Sequence, residues 1–151
     1  MTAEAVLLDS DTLSEIIKGR DVATQRQAQE YLVRHQRFQF SIITRYEILR
    51  GLKAKDAVNQ VEAFDELCQN SIVLPLSEEI VVRAAGIFAA LRKQGAIIDD
   101  GDILIAATAQ VHDLVLISNN LAHFRRIPDL RSESWRAGSD ALGDSSDPPK
   151  P

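Results

Sequence analysis

The sequence predicts an α/β fold with a mainly parallel central sheet. Short apolar runs at 5–8, 38–43, 72–76 and 114–117 have the length of buried strands, and segments of helical length separate them. Strands that alternate with helices favour parallel pairing through helical crossovers. The chain has 151 residues, of which 45% are hydrophobic and 26% charged, as expected of one ordinary globular domain.

In the first half of the chain, residues 5–8 form a predicted strand that ends at Asp9. A helix follows to Gly19, which is a typical stop residue, and a second helix covers 22–34. The aromatic and β-branched run at 38–43 predicts the next strand, with Thr44 as N-cap of a helix over 45–52. An amphipathic helix over 57–67 and a strand over 72–76 complete this half.

In the second half, Ser77 caps the clearest helix, which carries acids in its first turn, bases in its last turn and Gly95 after it. Asp102 is predicted to begin a helix over 103–111 that is apolar nearly all round and therefore buried. A strand at 114–117 and an edge strand within 131–135 follow. Residues 137–151 are mostly Gly, Ser, Asp and Pro, so we expect a folded domain over 1–136 and a disordered C-terminal tail.

The composition argues against several classes of protein, namely secreted, membrane-spanning and disulfide-bonded proteins. The sequence shows no secretory signal and no apolar run of the ~20 residues that a membrane helix needs, which predicts a cytoplasmic protein with no membrane partner. The single cysteine, Cys68, excludes an internal disulfide. The net charge is −5, yet residues 18–55 contain nine bases and three acids. This block permits binding of a nucleic acid but does not by itself indicate it.

Polar residues follow several of the predicted strands, at the edge where ligands bind to parallel sheets. Acids crowded at one edge repel one another, and a hard divalent cation such as Mg²⁺ or Mn²⁺ would relieve that repulsion. Each acid also has an ordinary explanation: Asp102 as a helix cap, Asp9 as a turn residue, Glu47 as a solvated acid. The candidates at this edge are Asp9, Asp11, Glu47, Asp99, Asp100, Asp102, Ser118, Asn119 and Asn120.

Other chemistries fit the sequence less well. The three histidines lack zinc-ligand spacing, and Cys68 lies within an amphipathic helix. The chain has neither a Gly-x-Ser-x-Gly elbow nor a Gly-rich phosphate loop.

Four segments, at 7–19, 41–51, 98–109 and 114–130, together resemble the PIN-domain ribonucleases, and most closely the VapC toxins of bacterial type II toxin–antitoxin pairs. The resemblance covers about residues 5–136. It implies a PIN-like α/β/α sandwich and a Mg²⁺- or Mn²⁺-dependent endoribonuclease that acts as a toxin on RNA. It also implies a homodimer and a cognate antitoxin partner.

Carried over to this sequence, the family's metal-binding acids correspond to Asp9, Glu47 and Asp102, and its fourth catalytic polar position corresponds to Asn120. Asp100 matches an additional acid of the toxins, and Ser118 stands where the family often has Thr. Asp11 departs from the usual Asn. Because Asn120 is neutral, a one-metal site is expected. Arg45 and Arg50 are expected near the same edge, as contacts to the RNA backbone or as surface residues.

Two other functions remain open at this stage. A PIN-like fold can be retained as a catalytically inactive module that binds nucleic acid or protein, although such a module has no need for a complete acidic set. A PIN nuclease can also act in RNA processing, outside any toxin system.

Overall fold

The computed structural model describes residues 4–136, so the predicted tail at 137–151 lies outside the described residues. Five strands form one sheet in the order β3-β2-β1-β4-β5, and every neighbouring pair is parallel. This confirms the predicted α/β fold. The strands are β1 (Val6–Leu8), β2 (Gln39–Ser41), β3 (Ile72–Leu74), β4 (Val115–Ile117) and β5 (Ser132–Glu133).

Helices connect the strands, and six of the seven helices in the described part of the chain lie where the pattern predicts them. Gly19 ends the first helix with a left-handed φ of 69°, and the Ser77 hydroxyl accepts a hydrogen bond from the Ile80 N–H at the start of the fifth. The helices are α1 (Ser10–Lys18), α2 (Val22–His35), α3 (Ile42–Ala54), α4 (Val58–Gln69), α5 (Glu78–Lys93), α6 (Asp100–Val111) and α7 (Leu121–Phe124).

The alternation of side chains along the central strands divides the core between the two faces of the sheet. Leu7 points to a cluster formed with α5, α6 and α7, whereas its neighbours Val6 and Leu8 point to a cluster formed with α1, α2 and α4. Helix α3 contributes to both clusters, through Ile43 on one side and Leu52 on the other. The result is the expected α/β/α sandwich.

Two predicted helix starts are wrong. Helix α3 is capped by Ser41, whose hydroxyl accepts a hydrogen bond from the Ile43 N–H, and Thr44 is buried inside the helix. Helix α6 is capped by Asp99, so Asp102 lies in the first turn and does not begin the helix. In both cases an earlier residue with a suitable side chain supplies the cap. The explanation of Asp102 as a helix cap therefore no longer applies.

The short helix α7 has no counterpart in the prediction, because its four residues are too few to show a periodic pattern. Within residues 4–136, none of the helices combines the length and the apolar character that crossing a membrane requires.

Candidate active site

Asp9 lies at the carboxyl end of β1, where its side chain also caps α1. Its backbone N–H donates a 3.0 Å hydrogen bond to the Ile117 carbonyl oxygen, and its Oδ1 accepts a 2.9 Å hydrogen bond from the Thr12 N–H. The residue is only 4% exposed. Burial raises the pKa of the Asp9 carboxyl to about 6, although hydrogen bonds from Ser118 and Thr12 favour its charged form. A capping role does not require such costly burial.

Glu47 approaches the same edge from the second turn of α3. The Ser10 hydroxyl donates a hydrogen bond to Glu47 Oε1 at 2.5 Å, and Ser10 Oγ also lies 3.2 Å from Thr44 Oγ1. The other carboxylate oxygen, Oε2, lies over Gly101 in the first turn of α6, 2.5 Å from the point where a Cβ would stand. Glu47 therefore joins the helices that follow β1 and β2 to the start of α6.

Asp102 belongs to the acidic first turn of α6. Burial raises the pKa of its carboxyl group, and the negative charges of Asp99 and Glu47 raise it further, while His123 opposes the shift. Asp99 is exposed and accepts a hydrogen bond from the Gly101 N–H at 3.1 Å. Asp100 is exposed in the same turn. The structure thus brings Asp102 close to Glu47 and leaves Asp100 at the margin.

The carboxyl end of β4 supplies the polar residues of the site. Ser118 is fully buried, and its Oγ accepts a 2.8 Å hydrogen bond from the Asn120 N–H. Asn120 Nδ2 lies 2.9 Å from His123 Nδ1, which is itself 3.6 Å from Asp102 Oδ2. His123 therefore connects the end of β4 to the first turn of α6.

Sequence reasoning missed the positions of His123 and Gly101. The spacing of the histidines argues only against a zinc site, and His123 lies on α7, a helix that the sequence pattern does not predict. Gly101 carried a detectable signal, because a glycine in the first turn of an otherwise apolar helix suggests a close approach by another group.

The donor chemistry of these residues fits a hard divalent metal ion. Asp9, Glu47 and Asp102 offer the carboxylate oxygens that Mg²⁺ and Mn²⁺ prefer. Two of these acids have a raised pKa, which a bound cation would reverse. The described range 4–136 holds no ready-made group of three or more Asp, Glu, His or Cys side chains arranged around one point. The match between these residues and a divalent metal ion therefore depends on their carboxylate oxygens and on their negative charge, which no ion pair with Lys or Arg in the described range neutralises.

The two arginines of α3 have different environments. Arg45 forms an ion pair with Asp65 at 3.1 Å, donates a hydrogen bond to Cys68 Sγ at 3.3 Å and packs over the Phe64 ring. These contacts hold Arg45 against α4, so it is a structural residue. Arg50 remains on the exposed side of α3, within electrostatic reach of Glu47 and Asp99.

Comparisons with known proteins agree with this architecture. The family model described as "PIN domain" matches residues 6–130. Ribonuclease VapC1 of Methanocaldococcus jannaschii is 34% identical over 90 residues, which cover 60% of this chain and 64% of that protein. Ribonuclease VapC1 of Haemophilus influenzae strain R2866 is 30% identical over 131 residues, 85% of this chain and 96% of the relative.

A solved structure supports the same assignment. The DNA-bound VapBC of Salmonella typhimurium superimposes with a TM-score of 0.78 at 27% identity, over 87% of this chain and 98% of the other. The match of fold, family model and relatives covers the whole segment that carries the acidic site. The chain therefore belongs to the PIN-domain family and is VapC-like.

Proposed function

We propose that this chain is a metal-dependent endoribonuclease, and that it acts in the cytoplasm as the toxin of a type II toxin–antitoxin pair. One observation carries the proposal. Asp9 follows the carboxyl end of β1, Glu47 lies in the helix after β2, and Glu47 contacts the turn of α6 that carries Asp102, in a chain related to ribonucleases named VapC.

In this proposal Asp9, Asp102 and Glu47 hold a Mg²⁺ or Mn²⁺ ion, with Asp100 as an additional acid at the margin. When bound, the ion supplies Lewis acidity, which lowers the pKa of water and offsets the charge that develops on the phosphate. Ser118 holds Asp9 and the Asn120 backbone in place through its hydroxyl. Asn120 is partly exposed, is linked to Asp102 through His123, and positions water or a ribose hydroxyl.

Removal of the metal tests the proposed activity. Purified protein is incubated with a mixed pool of RNA and Mg²⁺ or Mn²⁺, with and without excess EDTA. We expect cleavage with the metal, none with EDTA, and recovery when Mn²⁺ is added in excess over the chelator. Protein carrying Asp102→Asn, purified in the same way, controls for contaminating nuclease. Cleavage that persists in EDTA, or in the Asp102→Asn preparation, would contradict the proposal.

The inactive binding module is the second candidate. A folded protein that cleaves no RNA with either metal, and whose melting temperature does not change with the metal, would favour it. A buried Asp9 argues against it, because a module that binds polyanions gains nothing from a buried carboxylate.

An antitoxin is the proposed protein partner. An apolar groove of about 180 Å³ lies between α1, α3 and α4, with Lys18 and Lys55 among the residues around it. It suits an amphipathic helix with acidic flanks. A gene for a small DNA-binding protein directly upstream would support the toxin role, and its absence would favour RNA processing. The groove is lined by Ser14, Ile17, Lys18, Ile48, Leu52, Lys55, Gln60, Ala63, Phe64 and Leu67.

A homodimer is proposed through the outer face of α5, where Val81, Val82 and Phe88 are about half exposed or more. Phe88→Glu should convert the dimer to a monomer of 16.7 kDa in size-exclusion chromatography with light scattering, because a carboxylate would be buried without a partner. Val33→Glu, at an exposed apolar residue of α2, is the matched control and should leave the dimer intact. A dimer that survives Phe88→Glu would refute this interface.

A further inference from the structure

Tyr46 and Arg50 form a cation–π pair on the exposed side of α3, and the Arg50 guanidinium also interacts with the Tyr46 hydroxyl. They are one helical turn apart, and the Arg50 guanidinium carbon lies 5.1 Å from the centroid of the Tyr46 ring. Tyr46 is 57% exposed and belongs to neither hydrophobic cluster of the described core. A tyrosine in this position contributes little to folding, so packing does not account for it.

The pair lies beside the acidic site. Tyr46 precedes Glu47 in the chain, and Arg50 follows Glu47 by three residues on the same helix, so the Arg50 and Glu47 side chains are neighbours on its surface. Glu47 itself lies over the first turn of α6. A nucleotide next to the cleaved phosphodiester bond would therefore come within reach of this side of α3.

The charges favour a nucleic acid over an acidic protein segment as the occupant. A site built from carboxylates repels the RNA backbone, so a cation at its margin is needed to hold the flanking phosphate. Arg45 cannot bind this phosphate, because its guanidinium is paired with Asp65 and donates a hydrogen bond to Cys68. Arg50 has no carboxylate within ion-pair distance in the described range, and Lys53 continues the same exposed stripe one turn further.

We propose that Tyr46 is a stacking platform for one unpaired base of the RNA substrate, and that Arg50 binds the phosphate next to that base. The proposal rests on the proposed ribonuclease function and adds a substrate-binding subsite to it. Base–aromatic stacking tolerates any base, so this subsite selects single-stranded RNA rather than a sequence. Tyr46 and Arg50 act here in binding and take no part in bond cleavage.

Binding is measured separately from cleavage, with Asp102→Asn protein and a fluorescein-labelled single-stranded RNA of eight nucleotides in fluorescence anisotropy. Adding Tyr46→Ala should weaken binding about tenfold, whereas Tyr46→Phe should retain the affinity because it keeps the ring. Arg50→Ala should weaken binding and lower the dependence of affinity on salt by about one phosphate contact. Arg37→Ala, at an exposed arginine that precedes β2 on the opposite edge of the sheet, is the matched control and should change neither.

RNAs with a single abasic position locate the stacked base. Among these RNAs, the one that lacks the stacked base should bind more weakly to protein that retains Tyr46. The same RNA should bind the Tyr46→Ala protein as well as the intact RNA does. With Asp102 restored, Tyr46→Ala should raise KM and leave kcat within about threefold.

The outcomes separate the two proposals. A wild-type protein that cleaves no RNA would overturn the proposed function. Wild-type cleavage together with unchanged RNA affinity and KM in Tyr46→Ala would overturn the subsite alone. If Tyr46→Ala leaves the RNA affinity unchanged but lowers the affinity for the antitoxin, the subsite is also overturned. Tyr46 and Arg50 would then be part of the antitoxin interface.

Discussion

Asp9→Asn is expected to abolish RNA cleavage and, at the same time, to raise the melting temperature of the metal-free protein. In the proposed metal site, loss of the Asp9 carboxylate would remove several kcal/mol of charge stabilisation, so we expect cleavage to fall by at least about 10³-fold. The gain in stability has a different cause. Burial raises the pKa of Asp9 from 3.8 to about 6 in the folded protein, so the fold disfavours the ionised carboxylate.

The sign of this effect predicts its pH dependence. Below about pH 4 the carboxyl is protonated in both folded and unfolded chains, and burial of the charge costs nothing. Between pH 4 and 6 the unfolded chain ionises while the folded chain resists, so the penalty grows, and above pH 6 it is complete. A shift of this size corresponds to about 2–3 kcal/mol, or roughly 5–10 °C in the melting temperature. Asparagine retains an oxygen that can accept the hydrogen bond from Thr12.

Thermal unfolding in EDTA at pH 4 and pH 7.5 measures this prediction. The Asp9→Asn protein should melt above wild type at pH 7.5, and the difference should shrink at pH 4. Mg²⁺ should raise the melting temperature of wild type but not that of the variant, because a ligand that binds only the folded state stabilises that state. Asp129→Asn, at an exposed residue with a left-handed φ of 65°, is the control and should behave as wild type. A destabilised or active Asp9→Asn protein would contradict the assignment.

Most of the fold could be predicted because each element carries a local signal. Gly19 ends α1 and Ser77 caps α5 as the sequence suggests, and the central strands are short apolar runs. The predicted strand at 38–43 is two residues too long at its C-terminal end, because Ile42 and Ile43 enter α3 despite their β-branched side chains. Ile43 packs against the core cluster of α5 and α6. Such tertiary packing overrides intrinsic propensity.

The acids of the candidate site can be proposed from the sequence, whereas the side chains that contact them cannot. The rule that ligands bind at the carboxyl ends of parallel strands selects nine polar residues, and the resemblance to the PIN-domain ribonucleases implies Asp9, Glu47 and Asp102 among them. The contact between Asp102 and His123 depends on how α7 folds back toward α6, and no spacing in the sequence encodes that approach. The sequence also gives no sign that Tyr46 is exposed, because the exposure of one aromatic side chain cannot be inferred from a segment that is otherwise mostly apolar.

Gly101→Ala is expected to slow cleavage by about 10- to 100-fold while leaving the protein folded. A Cβ at this position would lie 2.5 Å from Glu47 Oε2 and 3.0 Å from Asp99 Oδ2, so the Glu47 carboxylate must move. It is the end of a flexible side chain and can rotate away. Alanine also favours a helix over glycine by about 0.5–1 kcal/mol, which offsets the lost contact with Ser10. A displacement of about 1 Å of a positioning group can cost on the order of 100-fold in rate.

Steady-state cleavage and thermal unfolding of two glycine variants test whether this loss runs through Glu47. Gly51→Ala is the matched control, because a Cβ there meets nothing within 4 Å, and it should retain full activity. Glu47→Gln should lower the rate on its own, and adding Gly101→Ala to it should have little further effect, because both changes disturb the same group. If Gly101→Ala cleaves RNA at the wild-type rate, the position of Glu47 over α6 is unimportant for the reaction. If the two effects multiply, Gly101 acts through another group, and Asp99 is then the one to test.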